Sequence, residues 1–226
     1  MTDLTIAVLH YNRWDLTLPC LQSIDVQRAT LCRVEKLLVD NGSVEKHLIP
    51  GWHPVEIPRN VGNTKGQNVC FQEAHGTYVL FVSNDVRLRP GCLKHLWEER
   101  FDGQLMPTIL NLDGSLQSQG GMLWWPGYGI NQRHAVVCIG LDYVPSICYL
   151  LPRQLWEELG GFDTAFPGAY EDVDFGYRLG SERLAVSQQA TATHIGNATL
   201  QYRDATPFRL ARRQFIRKHY RGFNYW

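Results

Sequence analysis

The sequence predicts an α/β fold, with a mostly parallel sheet flanked by helices and a small antiparallel part. Short apolar runs that end in polar loops alternate with helical segments from residue 4 to Asp85. The run from Tyr78 to Val82 is apolar without interruption, which is typical of a strand covered on both faces. Such alternation favours right-handed crossovers and parallel pairing.

Composition indicates one compact domain over residues 1–226. Of the 226 residues, 44% are hydrophobic and 12% aromatic, which excludes a disordered chain. Lys+Arg and Asp+Glu balance at 22 each, so the net charge favours no charged partner, and any such partner must be inferred from local clusters of charge. Six cysteines without a Cys-x-x-Cys pair favour reduced thiols. With no apolar run near the roughly 18 residues of a membrane span and no signal peptide, we expect a soluble, cytoplasmic protein.

The first hundred residues contain the alternating elements in order. His10 to Arg13 is predicted as a polar loop between the first strand and a helix that begins near Trp14. Gly76 is predicted to close the second helix. The predicted strands are 4–9, 34–39, 55–57 and 78–82, and the later helices are 65–74 and 89–100.

Two of these strands end in a carboxylate, at the sheet edge where open α/β sheets bind ligands. Asp85 could hold a divalent cation and through it a phosphate, or could simply end a strand. Asp40 could accept a hydrogen bond from an imide or a sugar hydroxyl, although Asp40-Asn41-Gly42-Ser43 is also an ordinary turn. The chain has neither a dinucleotide-binding Gly-x-Gly-x-x-Gly after the first strand nor a P-loop, so a bound diphosphate would need a metal.

Ordered blocks of the chain resemble the family 2 glycosyltransferases, which have the GT-A fold and use nucleotide-sugars. The blocks are Tyr11-Asn12-Arg13, Val39 to Ser43, Asn60-x-Gly62 through Asn68 and Gly76, and Ser83-Asn84-Asp85. The resemblance implies that Asp40 recognises the base of a UDP-linked donor and that Asp85 binds Mn²⁺ or Mg²⁺ on its diphosphate. Ser83 replaces the first acid of the family's Asp-x-Asp, as in rhamnosyltransferase-like members. The other implied donor contacts are Tyr11, Asn12, Arg13, Asn60, Gly62, Asn68 and Asn84.

By the same resemblance, residues 1–100 form the nucleotide-binding half, 101–202 the acceptor and catalytic half, and 203–226 a basic tail. An irregular antiparallel region begins at 106–110 and contains Trp124-Trp125, which could stack on a sugar or base as a lid, or plug a loop. A strand at 142–151 and a helix from Arg153 to the Gly160-Gly161-Phe162-Asp163 turn look like the family's next elements.

Glu171, Asp172 and Asp174 place three carboxylates within four positions at the start of a predicted helix. A helix N-terminus stabilises negative charge by about 0.3–1 kcal/mol, so capping is one interpretation. The segment is also similar to the family's Glu-Asp motif, which implies that Asp172, with Glu171 beside it, is the general base of an inverting transfer. His194, in a strand-like segment 191–196, would be a second metal ligand or contact the diphosphate.

The segment 207–221 is predicted as a helix with two faces. Phe208, Ala211 and Phe215 form one side, and arginines the other, at 209, 212, 213 and 217. Such a helix could dock by its apolar side or contact an anionic acceptor such as DNA or an acidic membrane surface. Three functions stay open: sugar transfer to a glycan or lipid carrier, the same transfer to hydroxymethylated bases of DNA, and donor binding without catalysis, which Ser83 motivates.

Overall fold

A computed structural model describes residues 2–27, 33–124, 127–131, 140–196 and 206–220. In its first part, strand and helix alternate as the sequence predicts. The elements are β1 (Leu4–His10), α1 (Trp14–Asp25), β2 (Val34–Asp40), β3 (His53–Glu56), α2 (Asn63–Gln72) and β4 (Tyr78–Ser83). These four strands pair in parallel in the order β3-β2-β1-β4, with β1 buried along its whole length.

The second part adds seven strands and four α-helices. They are β5 (Val86–Leu88), α3 (Cys92–Glu98), β6 (Gln104–Leu110), β7 (Leu116–Ser118), β8 (Gly121–Trp124), β9 (Tyr128–Asn131), β10 (Cys148–Pro152), α4 (Arg153–Glu158), α5 (Glu171–Leu179), β11 (Leu184–His194) and α6 (Thr206–His219). The main sheet has the order β3-β2-β1-β4-β10-β6-β11-β5, with β7 on β6, while β8 and β9 form a separate pair. The predicted α/β class is confirmed.

The directions of strand pairing show which strands end at the same edge of the sheet. β10 runs antiparallel to both β4 and β6, and β11 runs parallel to β6. Because two reversals restore the direction, β4, β6 and β11 all end at the same edge as β1 and β2. Antiparallel pairs β4/β10, β6/β10, β5/β11 and β6/β7 make the antiparallel part larger than the sequence predicts.

Three local predictions were wrong. His10 is not in a loop: it is the last residue of β1 and is fully buried. Gly76 does not close α2, which ends at Gln72; instead, a Cβ at Gly76 would lie 2.4 Å from the backbone nitrogen of Thr5, so this position requires glycine for close approach to β1. The strand predicted at 142–151 begins only at Cys148, because Tyr143 forms an isolated bridge with Gly121.

Helix α6 docks by an apolar side that differs in part from the predicted one. Ala211, Phe215 and Ile216 are buried, whereas Phe208 is 45% exposed. Ala211 and Phe215 pack in a small second core with Tyr143, Phe166 and Val173. The prediction for α6 was therefore wrong at Phe208, which Ile216 replaces on the buried side.

Some predicted features fall outside the described residues: Trp125 of the tryptophan pair, Cys32, Cys138 and Arg221. The other four cysteines are buried free thiols, at positions 20, 70, 92 and 148. Among the residues that the structure describes, no helix is long and apolar enough to cross a membrane.

Candidate active site

The end of β4 and the end of β11 bring Asp85 and His194 together. Asp85 follows β4, and the strand register pairs His194 with Val86, while the amide of Ile195 donates to the carbonyl of Asp85 at 3.0 Å. The Nε2 atom of His194 lies 3.2 Å from Oδ2 of Asp85. The two residues that the sequence predicts as metal ligands are thus in contact.

Asp85 is an ionised carboxylate, and one of its two oxygens is available to a further ligand. Burial acts to raise the pKa of Asp85, but the hydrogen bond and charge of His194 and a hydrogen bond from Ser83 outweigh it, so the pKa is lowered. Its Oδ1 atom is buried and has no hydrogen-bond partner among the residues that the structure describes. No group of three or more His, Cys, Asp or Glu side chains suited to a metal occurs in the described ranges. A cation held by Asp85 and His194 would need further ligands, which substrate or water could supply.

Gln117 is a neighbour of this pair that sequence reasoning missed. Its Oε1 atom lies 2.6 Å from Nδ1 of His194. It belongs to β7, in a turn-rich region where no motif or periodicity distinguishes one glutamine from another. Only the pairing of β7 with β6, and of β6 with β11, brings it to His194.

The N-terminus of α5 carries Glu171 and Asp172 on a strained turn. Tyr170, the residue before the helix, has φ of 69°, a left-handed conformation that bulky residues rarely adopt. Its hydroxyl donates to the carbonyl of Gly127 at 3.1 Å, which helps to hold the turn. Strain of this kind is common at functional sites.

Both carboxylates of this turn hold a proton more tightly than usual. Burial raises the pKa of Asp172, and burial together with the negative charge of Asp172 raises the pKa of Glu171. Asp172 is partly exposed and accepts backbone hydrogen bonds from Val173 at 2.8 Å and from Ser146 at 3.4 Å. Glu171 is 4% exposed and accepts from the amide of Asn63 at 3.2 Å.

The segment before β10 connects the two acidic positions. Its Ser146 amide faces Asp172, and the carbonyl of the next residue, Ile147, accepts from the amide of Ser83 at 2.9 Å. Ser83 is two residues before Asp85. The N-terminus of α5 therefore abuts the same edge of the sheet as the Asp85 and His194 pair.

The third acid of α5 has a different role. Asp174 is fully buried and accepts from Arg178 at 2.8 Å, Lys218 at 2.6 Å and His219 at 2.7 Å. Two of these three groups come from α6, so Asp174 holds α6 against α5. The repulsion expected from clustered acids is offset at Asp174 by cations that lie far away in the sequence.

Asp40 lies at the end of β2, beside a cavity of about 280 Å³. Its Oδ1 accepts from the amide of Ser43 at 2.9 Å, and its Oδ2 pairs with the ammonium of Lys46. Burial acts to raise the pKa of Asp40, but Lys46 and Ser43 outweigh burial and lower it. The sequence analysis missed Lys46. The cavity is lined by Trp14, Leu38, Asp40, Lys46, His47 and Glu56, among others.

Asn12 and Asn60, both predicted donor contacts, shape the neighbouring loops. Asn12 has φ of 54°, and its backbone amide and side-chain oxygen bond Ser43 and Val44, each at 2.9 Å. The side-chain oxygen of Asn60 accepts from the amide of Gly62 at 2.8 Å, and Gly62 itself has φ of 86°. The loops that contain Asn12 and Asn60 therefore lie beside the turn that begins at Asp40.

Asn68 and Asn84 were also predicted to contact the donor, but their side-chain amides form hydrogen bonds with other residues of the protein. Asn68 exchanges two hydrogen bonds of 2.9 Å with the backbone of Phe162 and so anchors the glycine-rich turn after α4. Asn84 donates to the hydroxyl of Thr17 at 2.9 Å, and the same hydroxyl lies 2.6 Å from Nδ1 of His10. Burial lowers the pKa of His10 to about 4, so its imidazole is neutral.

Tyr11 and Arg13 lie on the loop after β1. Tyr11 is partly exposed. The guanidinium of Arg13 makes two hydrogen bonds to Asp15, at 2.7 and 2.9 Å, which raise its pKa, and the charge of Asp85 adds to that effect. Arg13 therefore shares the electrostatic environment of Asp85.

Comparisons with known proteins agree with this geometry. Residues 5–109 match the family model of Glycosyl transferase family 2. The O-antigen biosynthesis protein RfbC of Myxococcus xanthus is 27% identical over 205 residues, which cover 76% of this chain and 16% of that protein.

Solved structures with the same fold include GalNAc-T7 with UDP, GalNAc and Mn²⁺, at 13% identity and a TM-score of 0.70, covering 86% of this chain and 44% of that one. Staphylococcus aureus TarS is 18% identical with a TM-score of 0.68, covering 96% and 39%. TarS 1–349 in complex with UDP is 18% identical with a TM-score of 0.66, covering 96% and 65%. The chain thus spans less than two thirds of each of these proteins. The chain has the GT-A fold, and its residues 5–109 match the family 2 glycosyltransferases.

Proposed function

We propose that this chain is an inverting, metal-dependent transferase that moves a sugar from a UDP-linked donor to a hydroxyl acceptor. One observation carries the proposal: two carboxylates at one sheet edge have opposite pKa shifts, with Asp85 ionised beside His194 and Asp172 holding its proton more tightly. Metal ligation needs the first property and proton acceptance near neutral pH needs the second. The complexes of GalNAc-T7 with UDP and Mn²⁺ and of TarS with UDP support the donor class.

The cavity beside Asp40 suits the base of such a donor. Asp40 offers a carboxylate acceptor and Lys46, paired with it, offers ammonium donors. A uracil imide presents the complementary set, an N–H flanked by carbonyl oxygens. Trp14 supplies an apolar wall to the same cavity. Arg13, near Asp85, contributes positive charge where the diphosphate would lie.

Asp85 and His194 fit a divalent cation. The unpartnered Oδ1 of Asp85 and the imidazole nitrogen close to Oδ2 are the oxygen and nitrogen donors that Mn²⁺ accepts. A cation held by these two residues would supply positive charge to offset the charge that develops on the leaving diphosphate, which needs no proton. A carboxylate at the position of Ser83 is not needed to keep Asp85 ionised, because His194 and the Ser83 hydroxyl already do so.

Asp172 is the general base of the proposed reaction. It takes the proton of the acceptor hydroxyl as that oxygen bonds to the anomeric carbon, while the bond to the diphosphate breaks on the opposite face, so the configuration inverts. A raised pKa brings a carboxylate closer to the operating pH and makes it a stronger base. Glu171, with its pKa raised further, stays protonated beside it and limits the negative charge at the site.

The acceptor is a hydroxyl group on a glycan, a lipid carrier or a hydroxymethylated base of DNA. The DNA alternative rests on one feature, the exposed side chains of Arg209, Arg213 and Arg217 on α6. Transfer to duplex DNA with hydroxymethylated bases that weakens steeply with salt would favour it. Transfer only to glycans or lipid carriers would reject it.

The test is a thermal-shift panel of nucleotide-sugars with and without Mn²⁺, followed by measurement of released nucleotide. A bound ligand stabilises by RT ln(1 + [L]/Kd), about 2.7 kcal/mol at 100 times Kd. We expect UDP-sugars with Mn²⁺ to raise Tm most and to release UDP slowly to water even without an acceptor. Stabilisation by none of the nucleotides would contradict the proposal. Binding without turnover of any acceptor would instead support the non-catalytic alternative.

A further inference from the structure

We propose that Gln117 is a positioning residue that fixes the tautomer of His194 and so directs its Nε2 lone pair at the cation beside Asp85. This inference rests on the proposed function for the presence of the cation. The orientation itself follows from hydrogen bonds in the hairpin between β6 and β7.

The amide of Gln117 has one orientation. Its Nε2 donates to Oδ1 of Asn111 at 2.8 Å and to the backbone carbonyl of His194 at 3.3 Å. A carbonyl oxygen can only accept, so the NH₂ group must face it and Oε1 must face the imidazole, 2.6 Å from Nδ1.

The orientation of Asn111 is fixed in turn by its neighbours. The hydroxyl of Ser115 donates to the carboxylate of Asp113 at 2.6 Å, so its lone pairs receive the NH₂ group of Asn111 at 2.9 Å. Oδ1 of Asn111 is thereby left for Gln117. An ordered series of donors and acceptors therefore runs from Asp113, at the tip of the hairpin, to the ring of His194.

The consequence appears on the other side of the ring. Because Oε1 of Gln117 only accepts, Nδ1 carries the hydrogen and Nε2 of the neutral ring presents a lone pair. That lone pair lies 3.2 Å from Oδ2 of Asp85, which also only accepts. Two facing acceptors need a positive charge between them, either a proton on Nε2, which is the hydrogen bond that Asp85 accepts without metal, or a cation. A divalent cation is such a charge, and a hydrogen-bonded second nitrogen is the usual support of a metal-binding histidine.

Gln119 provides a matched control. It lies two residues further along the same hairpin and donates to the hydroxyl of Thr108 at 3.3 Å. The Gln119→Leu variant removes a glutamine of similar burial whose side chain donates a hydrogen bond to Thr108. A general loosening of the hairpin should affect both variants alike.

The experiment compares Gln117→Leu, Gln117→Glu and Gln119→Leu with the wild type. Free Mn²⁺ is titrated by electron paramagnetic resonance, with and without UDP, and the ¹⁵N spectrum of His194 is recorded without metal at a pH where the ring is neutral. We expect Gln117→Leu to weaken Mn²⁺ binding about 10–100-fold and to lose the Nδ1–H preference. Gln117→Glu keeps the acceptor and should rescue both. Gln119→Leu, and UDP binding without metal, should not change.

Equal Mn²⁺ affinity in Gln117→Leu and wild type would overturn the inference, as would an equal loss in Gln119→Leu. A wild-type ring protonated on Nε2 would also overturn it. The proposed function fails separately, if wild type neither binds Mn²⁺ nor releases nucleotide from any donor. In that case the spectrum of His194 still decides whether Gln117 sets the tautomer.

Discussion

The end of β4 and the start of α5 each present a carboxylate to the same edge of the sheet, and the two differ in what surrounds them. Asp85 has a histidine at 3.2 Å and a lowered pKa. Asp172 accepts hydrogen bonds from the backbone amides of Ser146 and Val173 and has a raised pKa. Burial acts in the same direction on both, so the nearby imidazole makes the difference.

This difference teaches how one residue type serves two roles in one site. A carboxylate with a cationic neighbour stays ionised and is ready to be shared with a metal. A carboxylate without such a neighbour keeps affinity for a proton. Asp174, on the same helix turn as Asp172, is a third case, because hydrogen bonds with Arg178, Lys218 and His219 make it a structural anchor.

The largest expected effect is on turnover in Asp172→Asn. Loss of the proton acceptor should lower kcat about 10²–10⁴-fold, the usual contribution of a general base. The dissociation constant for UDP, measured by calorimetry, should stay the same because Asp172 does not contact the cavity beside Asp40. Asp102→Asn, at an exposed turn, is the control and should retain wild-type kcat. A decrease of less than threefold in Asp172→Asn would remove Asp172 from the chemistry.

The next effect is on stability in Asp174→Asn. Removing one partner of a buried ion pair costs about 3–5 kcal/mol, and we expect the lower end because Lys218 is partly exposed and also pairs with Asp163. Urea denaturation measures the loss. Asp163→Asn, which removes only the exposed pair, should cost about 1 kcal/mol or less. If the two variants lose equal stability, Asp174 is not the anchor of α6.

The pH dependence of kcat distinguishes the two site carboxylates. Asp172 must be ionised to accept a proton, so kcat should decrease as the pH falls through its raised pKa. The acidic limb should therefore lie well above ~3.9, the value of an ordinary aspartate. The lowered pKa of Asp85 places its titration below that limb. A limb at or below ~3.9 would show that burial does not raise the pKa of Asp172 in solution.

The smallest effect is on the pH dependence of stability in Glu171→Gln. In the unfolded chain a glutamate ionises near pH ~4.3, whereas in the fold its pKa is raised. The unfolded state therefore releases this proton first, and its contribution to stability is present below ~4.3 and is lost as the pH rises through the folded pKa. Urea midpoints of wild type should fall over that interval relative to Glu171→Gln. Parallel curves for the two proteins would contradict the raised pKa.

The elements of the first hundred residues were predictable because their signals are local. Segments rich in apolar residues predicted β1, β2 and β4, and the acids that follow them, Asp40 at the end of β2 and Asp85 after β4, lie at the predicted edge. His10 was misplaced because a polar residue after an apolar run resembles a loop, and only its contact with Thr17 makes burial tolerable.

The rest of the site depends on contacts between distant residues. Lys46 beside Asp40 and Gln117 beside His194 are polar residues in loops or short strands with no distinctive spacing. The anchors of Asp174 lie on α6, more than forty residues away. The meeting of Asp85 with His194 was proposed from resemblance, but their contact depends on the register between β5 and β11, which the sequence alone does not reveal.

The most direct test of the division between the two carboxylates is Mn²⁺ binding in Asp85→Asn and Asp172→Asn, measured side by side in the presence of UDP. The account predicts that Asp85→Asn loses at least ~10-fold in Mn²⁺ affinity, on the order of the 1.4 kcal/mol that corresponds to a factor of ten, while Asp172→Asn binds Mn²⁺ as the wild type does. Unchanged Mn²⁺ affinity in Asp85→Asn, or an equal loss in Asp172→Asn, would contradict it.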